Sequence, residues 1–208
     1  MSGRQIRILV VDDHPVLRQG IAAMLANEAD MTVVAEGSNG VEAVEQFRAR
    51  LPDITLMDVQ MPEMGGIEAI HAIRAGDPSA RIIVLTTYAG DVLAQRALKA
   101  GARAYVLKGL LRKELLDTIR AVYKGQRWVS PSVAAQMAYH TADDALSDRE
   151  VDVLRLIAAG NANKTIGARL SITEETVKGH VRSILSKLGA EDRTHAVTLA
   201  LSRGIIQL

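Results

Sequence analysis

Residues 6–13 read Ile-Arg-Ile-Leu-Val-Val-Asp-Asp, an apolar run that ends at two carboxylates, Asp12 and Asp13. Two further runs stop in the same way: residues 54–57 end at Asp58, and residues 104–107 end at Lys108. In an open parallel sheet the carboxyl ends of the strands share one edge, so charges distant in sequence meet in one crevice. Clustered carboxylates cannot all stay ionised there without a cation. A hard divalent metal would neutralise them, and Mg2+ favours few carboxylates combined with phosphate oxygens. Lys108, a compact ammonium, would then face an anion, for which a phosphoryl group is the natural candidate.

Outward from these runs, short β-like segments alternate with longer helical patterns. That alternation implies βαβ units and a doubly wound parallel sheet with helices on both faces. Five strands are expected, near residues 6–11, 32–35, 54–57, 82–85 and 104–107. The first helix opens at Pro15, a favoured first-turn residue, and is expected to bury Val16, Ile21 and Leu25. Later helices fall near residues 41–50, 67–75, 92–100 and 112–123, with Gly76, Gly101 and Gly125 as their stops.

The chain has 208 residues, enough for one domain of ordinary size and one small one. It is 48% hydrophobic and 24% charged, and no apolar run approaches the roughly 20 residues that span a bilayer. A membrane partner is therefore not expected. The apolar run at residues 6–11 is too short for a signal-peptide core, and there is no cysteine to form a disulfide, so a cytoplasmic location is expected. Net charge is +1, but it is unevenly placed. Residues 1–125 carry 15 basic and 15 acidic side chains, whereas Lys164, Arg169, Lys178, Arg182 and Lys187 face only Glu174 and Glu175 between residues 160 and 190. The second stretch is a modest basic patch.

After Gly125 the strand and helix alternation stops. Pro131 is placed at the start of a short helix and residues 140–145 as an exposed linker. A helical unit begins at Leu146. Ser147-Asp148-Arg149-Glu150 fits a capping box, with Leu146 and Val151 as its hydrophobic staple. This helix should stop at Gly160, and a second should run from Lys164 to Leu170 with Ile166 and Leu170 on one face. The third follows Thr173, burying Val177, Val181, Ile184, Leu185 and Leu188 and presenting Lys178, Gly179, Arg182 and Ser186 outward.

The acidic constellation suits phosphoryl transfer, where catalysis is chiefly positioning and neutralisation of charge. A carboxylate can itself be the nucleophile and form an acyl phosphate. Asp58 takes that role. Asp13, Asp12 and Asp58 are the metal-binding carboxylates, and the backbone carbonyl of Gln60 can add an oxygen. Thr86, at the end of the fourth strand, would bond one phosphoryl oxygen and Lys108 another.

The segments Val10-Val11-Asp12-Asp13-His14-Pro15, Leu56-Met57-Asp58-Val59-Gln60-Met61-Pro62, Leu85-Thr86-Thr87 and Tyr105-Val106-Leu107-Lys108 together resemble a bacterial response-regulator receiver domain of flavodoxin-like fold. The likeness spans residues 5–125. It implies that Asp58 accepts phosphate from a partner sensor histidine kinase, with Mg2+ held by the acidic pair and the acceptor. It also implies that Thr86 and Tyr105 form a switch, with output through the fourth helix, fifth strand and fifth helix. Gly65 stands where the family usually has Asp or Asn. Gly109 replaces the proline that often follows the lysine, which removes the grounds for a cis peptide there.

Three short helices, the last with a basic outward face, suggest a helix-turn-helix, although a small helical bundle with ordinary solvated charges fits the spacing nearly as well. Leu146-Ser147-Asp148-Arg149-Glu150, Gly160 with Asn163-Lys164, Thr176-Val177-Lys178-Gly179-His180 and Lys187-Leu188-Gly189 closely resemble the LuxR-type helix-turn-helix, over residues 146–208. Residues 126–145 then form the linker, and the whole is similar to the NarL/FixJ class of transcriptional regulators. By that resemblance the helix from Glu174 to Leu188 enters the major groove of double-stranded promoter DNA. Lys178 and Arg182 are its main contacts, with Asn163, Lys164, Thr176, Gly179 and His180 close by. Ser183 and Thr165-Ile166-Gly167 depart from the commoner Asn and Glu-Ile-Ala. Homodimers on paired half-sites and contact with RNA polymerase are expected of such a regulator. The final helix, residues 193–203, turns Ala196, Leu199 and Ala200 inward, either to pair DNA-binding units or simply as core. Trp128 is expected to anchor the linker against a domain.

The leading expectation is a phosphorylation-controlled transcription factor rather than an enzyme, although a receiver promotes its own phosphorylation and dephosphorylation. Two other classes remain open on the sequence. A phosphohydrolase with an aspartyl nucleophile would need a second acid or base beside the acceptor, where Gln60 sits. A constitutive DNA-binding dimer that never takes phosphate is the other.

Overall fold

A computed structural model describes residues 4–87, 91–129, 134 and 146–206. The chain divides into two compact units, each with its own apolar core. The expected short helix at Pro131 and the linker at residues 140–145 lie outside the described residues.

The first unit runs β1 (Ile6–Val11), α1 (Pro15–Ala26), β2 (Met31–Gly37), α2 (Gly40–Arg50), β3 (Ile54–Asp58), α3 (Gly66–Gly76), β4 (Ile82–Thr86), α4 (Asp91–Ala100), β5 (Ala104–Leu107), α5 (Leu111–Tyr123) and β6 (Trp128–Val129). The sheet order is β2-β1-β3-β4-β5-β6, and every pairing is parallel. The strand order reverses at β1, so the crevice above β1 and β3 is the topological switch point where ligands bind in such sheets. The central strands β3 and β4 are buried along their whole length, as both-sided helix cover requires. One core layer collects Ile8, Val10, Ile54, Leu56, Ile83, Leu85 and Val106 from the sheet with Leu115, Ile119 and Val122 from α5.

Three expectations are corrected. A sixth strand extends the sheet past residue 125, with Trp128 N–H bonded to the Arg103 carbonyl and the indole packed against the core. Trp128 therefore secures the start of the linker as part of the sheet. In α1, Val16 is 83% exposed and Leu17 packs against the core in its place. Leu17 lies one turn from Ile21 on the same helix face, whereas Val16 lies on another. Gly76 does not stop α3 but closes it as its last residue. Asp77 ends the helix in extended backbone, and its carboxylate accepts hydrogen bonds from the N–H and hydroxyl of Ser79. Gly101 and Gly125 do take the left-handed conformation past α4 and α5.

The second unit contains α6 (Asp148–Ala158), α7 (Asn163–Leu170), α8 (Glu174–Leu188) and α9 (Arg193–Ser202). The capping box at Ser147 and Glu150 forms as the sequence indicates, and both staple residues pack on the core. Val177, Ile184 and Leu188 of α8 are buried with Ile166, Ala196 and Ala200, and Val181, Leu185, Leu170 and Leu199 pack around them. Gly167 has a structural reason: a Cβ there would stand 2.7 Å from the Ile172 carbonyl oxygen, so its absence lets the turn between α7 and α8 close tightly. Among the described residues no helix is long and apolar enough to cross a membrane.

Candidate functional site

The parallel register brings the ends of β1, β3, β4 and β5 to one edge, and the expected side chains meet there. Asp12 and Asp58 are buried, and Asp13 is half-buried. Nζ of Lys108 stands 2.7 Å from Oδ2 of Asp12 and 2.8 Å from Oδ2 of Asp58, bridging the two carboxylates. Oδ1 of Asp58 accepts the backbone N–H of Val59 at 2.7 Å and that of Gln60 at 3.4 Å. Asp58 thus has one oxygen fixed by its own loop and the other by a cation.

Burial pushes the Asp58 carboxyl above its usual value. Lys108 opposes that rise, and the charge of Asp12 adds to it. Burial alone would lower the Lys108 ammonium, but its bonds to Asp12 and Asp58 outweigh it and hold the group above its ordinary value. Lys108 is therefore firmly cationic. Three carboxyl groups share the edge with one ammonium, an acidic excess that a divalent cation would offset. The donors fit a hard ion: ligand atoms of Asp12, Asp13 and Asp58, together with His14, all lie within 4.8 Å of one another.

Thr86 and Tyr105 are buried neighbours whose side chains share a hydrogen bond. Burial raises the Tyr105 phenol well above its ordinary range, and the Asp58 charge raises it further, so the hydroxyl stays neutral. The aromatic ring is turned fully into the protein and its tip is tied to the hydroxyl beside the acidic site.

Two contributors were not singled out in the sequence. Nη1 of Arg18 donates to the Asp12 carbonyl at 2.6 Å and so holds the strand end. His14 donates its backbone N–H to Oδ1 of Asp12, and its Nδ1 lies 2.6 Å from Oδ1 of Asp13. The alternation of apolar and charged residues carried no signal for either.

In the second unit, Thr176, Lys178, Gly179 and Arg182 of α8 are exposed, with Lys178 and Arg182 one turn apart on one face, and His180 is half-buried. Lys178 contacts Glu174 at 3.8 Å and Glu175 at 3.3 Å. Both are exposed pairs on one helix, worth only a few tenths of a kcal/mol each. Lys164 is exposed at the start of α7, and Asn163 beside it is half-buried. Lys187 belongs to another structure altogether. Its Nζ lies 2.7 Å from Oε2 of buried Glu150, and Ser183 donates its hydroxyl to Oε1 at 2.6 Å. Burial would raise Glu150, but Lys187, Ser183 and Ser147 together hold its carboxyl down at about 2. Two residues of the basic stretch thus face inward, locking α8 to α6.

A parallel sheet with an acidic, lysine-bridged edge, joined to a helix-turn-helix with a basic helix, defines a receiver-type signalling protein. Residues 8–120 match the response regulator receiver domain, and residues 144–200 match the bacterial regulatory proteins of the luxR family. The response regulator protein VraR of Staphylococcus aureus is 38% identical over 207 residues, covering 97% of this chain and 99% of VraR. A two-component response regulator of the LuxR family from Aurantimonas sp. SI85-9A1 is 39% identical, with a TM-score of 0.63 over 65% of this chain and 96% of that one. RcsB from Salmonella enterica serovar Typhimurium, bound to a promoter in the presence of phosphomimetic BeF3-, is 27% identical, with a TM-score of 0.75 over 97% of this chain and all of that one. The chain belongs to the response regulators of the LuxR/NarL family, DNA-binding transcription regulators controlled by phosphorylation rather than enzymes in the ordinary sense.

Proposed function

We propose that Asp58 is the phosphoacceptor and that its phosphorylation controls promoter binding by α8. The observation that carries this is the bridged pair. A single ammonium joins the acceptor carboxylate to Asp12 in a buried crevice whose acidic excess a divalent cation would offset.

A sensor histidine kinase presents its phosphorylated imidazole at the crevice. The P–N bond breaks as a bond forms between phosphorus and a carboxylate oxygen of Asp58. The leaving imidazole keeps the electron pair and takes up a proton. Mg2+, held by Asp12, Asp13, Asp58 and the Gln60 carbonyl, supplies neutralising charge for the phosphoryl oxygens when bound. Lys108 pairs with one of those oxygens, and the Thr86 hydroxyl bonds another. Tyr105 follows Thr86 because their hydroxyls are joined, so the phosphoryl group biases the aromatic switch and the output face of α4, β5 and α5. The same site assists its own labelling and hydrolysis, so the phosphorylated state is transient.

The protein acts in the cytoplasm as a homodimer on paired half-sites of double-stranded DNA, where it influences RNA polymerase. Residues 5–125 with β6 form the receiver, residues up to 145 the linker, and residues 146–208 the DNA-binding unit. Lys178 and Arg182 contact phosphate or base edges, with Asn163, Lys164, Thr176, Gly179 and His180 at the same surface. Similarity to a promoter-bound relative supports the DNA assignment.

Incubating the full chain with a small phosphodonor and Mg2+ tests the proposal. Stable labelling at Asp58, absent in Asp58→Asn and accompanied by tighter operator binding, is expected. Sustained phosphate release without labelling would mark a phosphohydrolase, and no labelling would mark a constitutive binder.

A further inference from the structure

We infer that His14 is a nitrogen ligand in the acidic crevice, making the site selective for late first-row divalent metals over Mg2+. The inference rests on the proposed metal site at Asp12, Asp13 and Asp58 and adds a donor that the oxygen set lacks.

His14 follows the acidic pair directly and precedes Pro15, which opens α1. Its backbone N–H is tied to Oδ1 of Asp12 at 2.9 Å, which fixes the position of its Cα. The ring is 70% exposed, so packing does not hold it. It nevertheless turns back over the crevice. Nδ1 lies 2.6 Å from Oδ1 of Asp13 and 3.2 Å from Oδ1 of Asp12. Adjacent ligand atoms around an octahedral ion with bonds of about 2.1 Å stand about 3.0 Å apart, and opposite ones about 4.2 Å apart. The two imidazole separations bracket the first spacing, and one ligand atom from each of the four residues lies within 4.8 Å of the others. Nδ1 thus stands near the spacing of adjacent ligands from two carboxylates, Asp12 and Asp13, with a ligand oxygen of Asp58 in the same cluster.

An imidazole changes what such a point prefers. Mg2+ is hard, keeps its waters and gains little from nitrogen, whereas Ni2+ and Zn2+ bind imidazole strongly. With oxygen donors alone the crevice would show only the general affinity order of divalent ions. With His14 added, the preference for the late metals should widen, and that widening should depend on one side chain.

Calorimetric titration of the full chain with Ni2+ and with Mg2+ tests this, using wild type, His14→Ala and Asp13→Asn. The Ni2+ binding considered is the fraction that excess Mg2+ displaces, which excludes the chain's other histidines. Expected is a loss of Ni2+ affinity of about 10-fold or more in His14→Ala, with Mg2+ affinity changed by less than about 2-fold. Asp13→Asn should weaken both metals. Proton NMR gives a second readout: Ni2+ should broaden the His14 ring signals at substoichiometric metal. Equal losses for both metals, no loss for either, or unbroadened His14 signals would overturn the role of His14 while leaving the Mg2+ site standing. Absence of Mg2+ binding in wild type would overturn both.

Discussion

Nζ of Lys108 is 2.8 Å from Oδ2 of Asp58, and the same ammonium reaches Asp12 at 2.7 Å. One cation therefore restrains two like charges contributed by two different strands. Replacing it with methionine keeps most of the length of the side chain and removes the charge. A charge-assisted hydrogen bond of this kind contributes about 1.5–3 kcal/mol. Lys108→Met should slow labelling of Asp58 by a small phosphodonor about 10-fold or more, followed by intact-mass spectrometry over time. An unchanged labelling rate would remove Lys108 from the chemistry.

Gly66 sits at the start of α3 against the back of the acceptor, where a Cβ would lie 1.9 Å from the Asp58 carbonyl oxygen. Gly66→Ala must therefore push the Asp58 backbone or the helix aside. The cost is that of overpacking, about 1–3 kcal/mol, and the acceptor moves with it. Denaturant unfolding should show the loss, together with slower labelling. Gly76→Ala is the control, because a Cβ there meets nothing within 4 Å. Its stability should stay level or rise by up to about 1 kcal/mol.

What the sequence made legible follows from what its patterns can encode. Strand ends at Asp12, Asp58, Thr86 and Lys108 were readable because an apolar run stopping at a polar residue is a local signal that parallel topology then gathers on one edge. β6 was not readable, since two residues at Trp128 and Val129 cannot show a period and are recruited only by an exposed edge of β5. Val16 and Leu17 are both apolar, and only the phase of the helix set by Ile21 and Leu25 chooses between them. The outward look of the α8 sequence likewise hid Ser183 and Lys187, whose partner Glu150 is 33 and 37 residues away. His14 was passed over because neighbouring residues announce no cluster until the fold brings their ligand atoms within 4.8 Å of one another and of Asp58.

Glu150 carries the clearest pH dependence. Its carboxyl is held at about 2 in the folded chain against an ordinary 4.5. A depressed folded value contributes stability that is fully present above the unfolded value and is lost as pH falls through the folded one. The window therefore opens near pH 4.5 and closes near pH 2, and the contribution is on the order of 3 kcal/mol. Thermal unfolding of the full chain, followed through the helical signal, should fall more steeply across that window than in Glu150→Gln. Glu150→Gln should also be less stable at neutral pH, because it leaves Lys187 without its partner. Parallel pH profiles for the two proteins would show that the pair contributes nothing.

Gly179 lies on the exposed face of α8 between Lys178 and Arg182, and a Cβ there meets nothing within 4 Å. In the free protein Gly179→Ala should therefore raise stability by about 1 kcal/mol, since alanine is the better helix former. If this face lies against the major groove, the added methyl occupies the space into which DNA must come. Operator affinity should then fall while stability rises, a divergence that a purely structural glycine would not produce. Lys178→Ala and Arg182→Ala should each reduce the slope of log affinity against log salt by about one unit. Lys178 would first have to exchange its exposed pairs with Glu174 and Glu175 for phosphate, a small loss that the DNA contact exceeds. Fluorescence anisotropy across a salt series, with unfolding measured on the same samples, reads both quantities. A Gly179→Ala protein that is more stable and binds as tightly as wild type, with unchanged slopes for the two basic variants, would place the DNA on a different surface.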